Sequence, residues 1–318
     1  MLRYIVKRVV HGLVVMWAVA TTVFLGLRAL PGDPARIALG IKASDESVAA
    51  LRARLGLDQP LHVQYVEWFR DILTLDLGRS ITSGQEITAL LAGSVPKTLS
   101  IGMLAIVIGL LIALPAGVIS ATNKNEPADY AATVVAFLGI SMPAFFIGIL
   151  LAVLLGGWLN VLPAFGYTPL SEGVVPWFEH ILMPAFAVGL PYAAIVMRMT
   201  RSSLLEVRNQ QYMKTARAKG IHPRVALFKH AMQNALIPVV TVAGIQVAII
   251  LVGSVTVEIV FGIRGLGRLL VNSMLNHDYP VVQAVILVVA AIMVGMNIFV
   301  DLLYTLIDPR IRYGSEES

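Results

Sequence analysis

Few residues in this chain have the type and spacing to do chemistry. The six histidines are His11, His62, His180, His222, His230 and His277. No two lie within one helical turn, and none pairs with a glutamate in the H-E-x-x-H pattern that places two imidazoles on one zinc ion. There is no cysteine. Thiolate nucleophiles, disulfides, cysteine-bound zinc and iron–sulfur clusters are therefore excluded. Ser141 lies in Gly139-Ile140-Ser141-Met142-Pro143. That surrounding reads as a helix kink at Pro143 rather than a nucleophile turn. The G-x-x-x-x-G-K-[ST] phosphate loop is absent, so the chain itself does not hydrolyse nucleotide by that route. Two acids, Glu258 and Asp301, each stand at the end of an uncharged run and are expected to face protein rather than lipid. The one concentration of charge is 198–235, with eight Lys/Arg and a single acid, Glu206.

The elements that carry these residues are apolar. Of 318 residues 57% are hydrophobic and only 14% charged, and the mean hydropathy is +0.80. This composition excludes a soluble enzyme and leaves a polytopic membrane protein. Uncharged runs lie at Val9–Leu27, between Lys97 and Lys124, at about Ala131 to Leu155, and between Glu179 and Arg198. Two more lie between Lys229 and Glu258 and between Asp278 and Asp301. They predict six transmembrane helices in an all-α fold. Arg3, Lys7 and Arg8 precede the first run, but no small-x-small cleavage site follows it, so it reads as a retained anchor. Segments 1–8, 121–130, 198–235 and 307–318 carry 3, 1, 8 and 2 Lys/Arg, whereas 157–180 carries none. The positive-inside rule then places both termini in the cytoplasm.

Two segments outside the spans have structure of their own. In 31–96, Ser44-Asp45-Glu46 starts a short helix that Gly56 ends, and a second amphipathic helix follows Pro60 with Leu61, Tyr65, Phe69 and Ile72 on one face. In 198–235, the stretch Ser202 to Lys219 lacks Pro and Gly and predicts one helix. Gly220 stands where a left-handed C′ residue is needed, and Pro223 restarts a helix that leads toward Pro238. The result is a helix–turn–helix between two spans.

These residues carry a specific likeness. Tyr212-Met213-Lys214-Thr215-Ala216-Arg217-Ala218-Lys219-Gly220, followed by His230, Asn234 and Ile237-Pro238, resembles the ATPase-coupling loop of binding-protein-dependent ABC importers, in the form of the dipeptide/oligopeptide/nickel permease family. Leu30-Pro31-Gly32-Asp33-Pro34, Leu55 to Leu61 with Gln64-Tyr65, and Asp76-Leu77-Gly78-Arg79-Ser80 are similar to the N-terminal part of the first permease subunit of such systems. Val257-Glu258 with Phe261-Gly262 and Gly265-Leu266-Gly267, and the tail from Asp301 through Asp308-Pro309-Arg310 to Gly314, resemble its C-terminal part. Lys214-Thr215-Ala216 stands where the wider importer family has Glu-Ala-Ala, and Arg264 stands where a proline often precedes Gly-Leu-Gly.

The resemblance implies an ABC type-1 (type I importer) permease fold in a bacterial or archaeal plasma or inner membrane. It divides the chain into 1–96, a first helix with an extracytoplasmic helical segment; 97–307, the transmembrane core with the coupling loop 198–235; and 308–318, a cytoplasmic tail. It implies a second homologous permease subunit, two ATPase subunits and an extracytoplasmic substrate-binding protein as partners, with membrane lipid around them and no nucleic acid. ATP and magnesium belong to the ATPases, and this chain has no cofactor, metal or catalytic residue. Glu206, Tyr212, Thr215, Ala216, Arg217, Ala218, Lys219, Gly220, His230, Asn234 and Pro238 would couple to an ATPase. Glu258, Phe261, Gly262, Gly265, Leu266 and Gly267 would form an extracytoplasmic gate or loop. The expected cargo is a di- or oligopeptide; nickel, glutathione or another small solute are alternatives within the family. A membrane scaffold and an ion-coupled secondary transporter are the competing classes.

Overall fold

A computed structural model of the chain describes residues 2–29, 32–40 and 43–307. The tail 308–318 and Leu30-Pro31 of the N-terminal signature lie outside the described residues. Helix α1 (Leu2–Arg28) leads into the short helices α2 (Pro34–Leu39) and α3 (Asp45–Arg54), then α4 (Leu61–Thr74). Their ends follow the local chemistry. The Ser44 hydroxyl accepts from the Ser47 N–H at 3.2 Å, and Gly56 past the end of α3 is left-handed at φ +63°, as capping requires. The apolar face of α4 lies on the end of α1. Phe24 is fully buried, with the rings of Tyr65 and Trp68 at 5.3 and 5.2 Å.

The core is built from α5 (Ile87–Thr122) and α8 (Val174–Arg208), each long enough to cross a bilayer. They pack closely because small residues face each other. A Cβ at Gly117 would come within 2.6 Å of Thr200 Cβ, and one at Gly189 within 2.8 Å of the Ala105 carbonyl oxygen. Association of helices within lipid depends on such close approach, because lipid is as apolar as the side chains it competes with. Ile101, Ala105, Ala113, Met183, Ala187 and Val196 fill the seam.

The expected third span differs from a single helix. It is α6 (Pro127–Ser141) followed by α7 (Ala144–Leu151), which runs on through a π-helical turn to Trp158. The two parts bend by 102°. Pro143 has no N–H to offer and drives Met142 to φ −96°, ψ 126°, the extended region that precedes a proline. The described residues therefore hold five unbroken helices of spanning length, and six candidate spans if the bent pair is one of them.

The chain returns through α9 (Gln211–Ala218) and α10 (Pro223–Val225), a π-helical stretch over Ala226–Ala231, and α11 (Met232–Val260). The restart at Pro223 is continuous with the fifth span, Pro223–Val260. Helix α12 (Leu266–Leu275) precedes α13 (Tyr279–Ile307), which packs along α1. Arg8 on α1 meets Asp301 on α13 at 3.0 Å, which meets the expectation that Asp301 faces protein.

Candidate functional site

The coupling segment is shaped by two breaks, one expected and one not. Helix α8 does not continue to Lys219. It stops at Arg208, and Asn209-Gln210 turn the chain into α9. Asn and Gln at the junction permit this, since their side chains compete for backbone partners. The second break is the expected one. Gly220 has φ +73°, and the Ile221 N–H reaches back to the Ala216 carbonyl at 3.2 Å, the six-to-one bond of a Schellman ending. His222 then caps the next helix, its ring nitrogen accepting from the Arg224 N–H at 3.3 Å.

One face of α9 belongs to the chain's own interior. Met213 is buried in an apolar cluster with Ala121, Leu204, Val207, Ala226, Ala231 and Ala235, and Ala216 is 9% exposed. Ala216 thus turns toward the chain's own interior. Lys214, Thr215, Ala218 and Lys219 are exposed; of Arg217 only the backbone is described.

Four residues of the expected coupling set come together although they are far apart in the chain. Glu206, Tyr212, Asn234 and Pro238 line one open cleft of about 530 Å³ with Ser203, Val207 and Gln210. Asn234 Nδ2 donates to Tyr212 Oη at 2.9 Å and to the His230 carbonyl at 3.2 Å. That pair ties the outer edge of α9 to the start of α11.

An ion pair that sequence reasoning missed anchors the base of this projection. Asp129 is 3% exposed and receives Arg201 Nε at 2.7 Å and Nη2 at 2.8 Å. The Ser120 hydroxyl and the Asn125 N–H complete its shell, and Arg208 Nη1 donates to the Ala121 carbonyl at 2.6 Å. The α5–α6 turn and the end of α8 are thereby locked together. The only signal in the sequence was that Asp129 and the Arg198–Arg208 group each border an uncharged run.

The second expected set lies at the other end of the bundle. Thr98 Oγ1 donates to Glu258 Oε1 at 2.6 Å and accepts the Leu266 N–H at 2.8 Å, and the Arg268 N–H reaches Glu258 Oε2 at 3.0 Å. Gly265 is required because a Cβ there would run into the Glu258 carboxylate, and a Cβ at Gly267 would lie 2.5 Å from Val255 Cα. Gly262 supplies a left-handed turn at φ +67°, and the Phe261 carbonyl accepts the Gly166 N–H at 2.8 Å. Glu258, Phe261 and Leu266 are all at most 1% exposed. The set is brought together as an internal clamp between α5, α11 and α12. Among the described residues no group of His, Cys, Asp or Glu is arranged to hold a metal ion.

Residues 113–313 match the family model described as the binding-protein-dependent transport system inner membrane component, and residues 1–102 match its N-terminal counterpart. The chain is 40% identical over 310 residues to a probable peptide ABC transporter permease protein of Sinorhizobium fredii, covering 98% of this chain and 99% of that one. A dipeptide transport system permease protein of Alkalihalophilus pseudofirmus is 36% identical, and a glutathione transport system permease protein of Salmonella choleraesuis 38%. Each of those alignments covers 98% of this chain and 100% of the relative. With full-length relatives, two family models end to end and a bundle of spanning helices, the chain belongs to the binding-protein-dependent transport system inner membrane component family, the permease subunits of ABC transporters.

Proposed function

We propose that this permease forms half of a pathway that imports peptides, paired with a second permease and driven by separate ATPases that dock on α9 and the Gly220 turn. The observation that carries this reading is the projection itself. Exposed Lys214, Thr215 and Lys219 stand on a buried apolar face, the Asn234–Tyr212 bond ties this projection to α11, and the Asp129–Arg201 pair fixes the end of α8, from which it hangs, to α6. A load on α9 would then tilt both spans together instead of bending the loop. Alternating access follows: the ATPases close on ATP, the α8 and α11 ends move with them, and the pathway opens toward a loaded binding protein. In this reading α9 and both termini are cytoplasmic, while the Glu258 clamp and α2–α4 are extracytoplasmic.

The relatives' names support a peptide cargo. The test is reconstitution with the neighbouring permease, ATPases and binding protein. Hydrolysis stimulated by a dipeptide and its binding protein is the expected outcome. Stimulation by nickel alone would move the cargo outside peptides, and stimulation by glutathione would narrow it to that tripeptide. Transport without ATPase subunits, driven by an ion gradient, would defeat the reading.

A further inference from the structure

A cavity of about 620 Å³ opens between α4, the 76–81 turn and the start of α13. It lies at one membrane boundary, because its wall includes Arg28, the last residue of α1, and Tyr279, the first of α13. Three arginines, Arg28, Arg54 and Arg79, and three acids, Glu67, Asp71 and Asp76, stand around it. Arg79 is already paired with Glu86 at 3.3 Å, which leaves two arginines and three acids, a mixed set that suits a zwitterion and disfavours a simple anion. Arg28 is already oriented, with Nε donating to Gln64 at 2.9 Å.

The floor supplies an independent observation. Gln283 is only 7% exposed, lines the cavity, and its buried Nε2 has no hydrogen-bond partner. A buried amide donor left unpaired is costly, so a half-turn of the amide that brings Nε2 round to the cavity side is favoured once an acceptor lies there. Below it Ala284 and Leu287 continue the wall, and Leu287 lies eight residues along α13, about 12 Å deeper than Tyr279. Trp68 and Tyr279, residue types that settle at the headgroup level of a bilayer, also contribute to the wall.

Charges of both signs, then a lone amide donor, then apolar side chains form a sequence along the bilayer normal. A phospholipid has the same order: ammonium and phosphate, ester oxygens, acyl chains. We propose that this cavity holds the headgroup of a phospholipid bearing both a phosphate and a primary ammonium. The ammonium pairs with the Glu67 and Asp71 carboxylates, the phosphate with Arg28 and Arg54, and Gln283 Nε2 donates to an ester or phosphate oxygen. A primary ammonium carries N–H donors for those carboxylates, which a trimethylated one lacks.

The test is lipid retention by the intact permease in its assembled complex, read by native mass spectrometry. The complex is first stripped of lipid, then given equal amounts of phosphatidylethanolamine, phosphatidylcholine and phosphatidylglycerol. One ethanolamine lipid retained per chain is expected. Gln283→Leu, which keeps the volume and removes the donor, should weaken its retention about fivefold. Exposed Glu67→Gln with Asp71→Asn should shift preference toward the glycerol lipid, and it serves if Gln283→Leu does not assemble. Equal retention of all three lipids, or retention unchanged in both variants, overturns the proposal. Equal displacement by free phosphoethanolamine would assign the cavity to a soluble phosphorylated amine and overturn the lipid as well.

Discussion

Arg201 on α8 grips Asp129 at the start of α6 through two nitrogens, at 2.7 and 2.8 Å, across 72 residues of sequence. The aspartate is buried, so removing Arg201 strands its charge. Arg201→Gln should cost about 3 kcal/mol, as for other buried pairs, and Asp129→Asn less, because Arg201 is partly exposed. In a double-mutant cycle on thermal unfolding of the purified complex, the two losses should be strongly non-additive. Additive losses would mean that the pair does not hold the α8 end in place.

The Thr98–Glu258 clamp makes a second prediction. Thr98 both donates to Glu258 and accepts the Leu266 N–H. Thr98→Val removes both bonds with little change of shape and should destabilise by about 2 kcal/mol. Gly265→Ala should be worse, because its methyl group would occupy the space of the carboxylate. Thermal unfolding of the two variants checks the order. A Gly265→Ala protein that melts with the parent would show that the turn relaxes freely.

At Gly220 the cost is purely one of backbone conformation, since a Cβ there would meet nothing within 4 Å. Asn, which tolerates the left-handed region, should retain ATPase binding, while Val should lose about 1–2 kcal/mol and with it the aim of α9. Co-purification of the ATPases with each variant is the measurement. Equal retention by Gly220→Val and Gly220→Asn would count against a shaped coupling element.

Ala216 and Lys214 separate folding from docking. Ala216→Trp should reduce the amount of permease itself, because Ala216 is only 9% exposed and leaves no room for an indole. Lys214→Glu with Lys219→Glu, both exposed, should leave permease levels intact and lose the ATPases. Immunoblots of membranes and of the purified complex distinguish the two. Normal levels of Ala216→Trp with lost ATPases would return that residue to the docking face.

Topology can be read without background, because the chain has no native cysteine. Cysteines at exposed Ser47 and Ser171 should react with an impermeant maleimide from outside, and one at exposed Ser202 only after permeabilisation. Ser203 next to it is 3% exposed and would be a poor reporter. Outside labelling at Ser202 in intact cells would reverse the proposed orientation.

What the sequence determined by itself is what depends on neighbours in the chain. The apolar runs predict the spanning helices because backbone groups in lipid must be paired within the segment. Ser44, Gly56 and Gly220 mark helix ends because a cap or a left-handed turn is a property of a few adjacent residues. Pro143 predicted a break for the same reason, but the 102° bend depends on what α6 and α7 pack against. The tertiary structure alone decided which distant groups meet. Thr98 finds Glu258 across 160 residues, and the Ser80 hydroxyl finds the Asp278 carboxylate across 198, at 2.5 Å. It also turned Ala216 inward and ended α8 at Arg208, because a helix rotates and stops where its apolar face is buried best. No local pattern records that choice: it is made by the surface each helix meets.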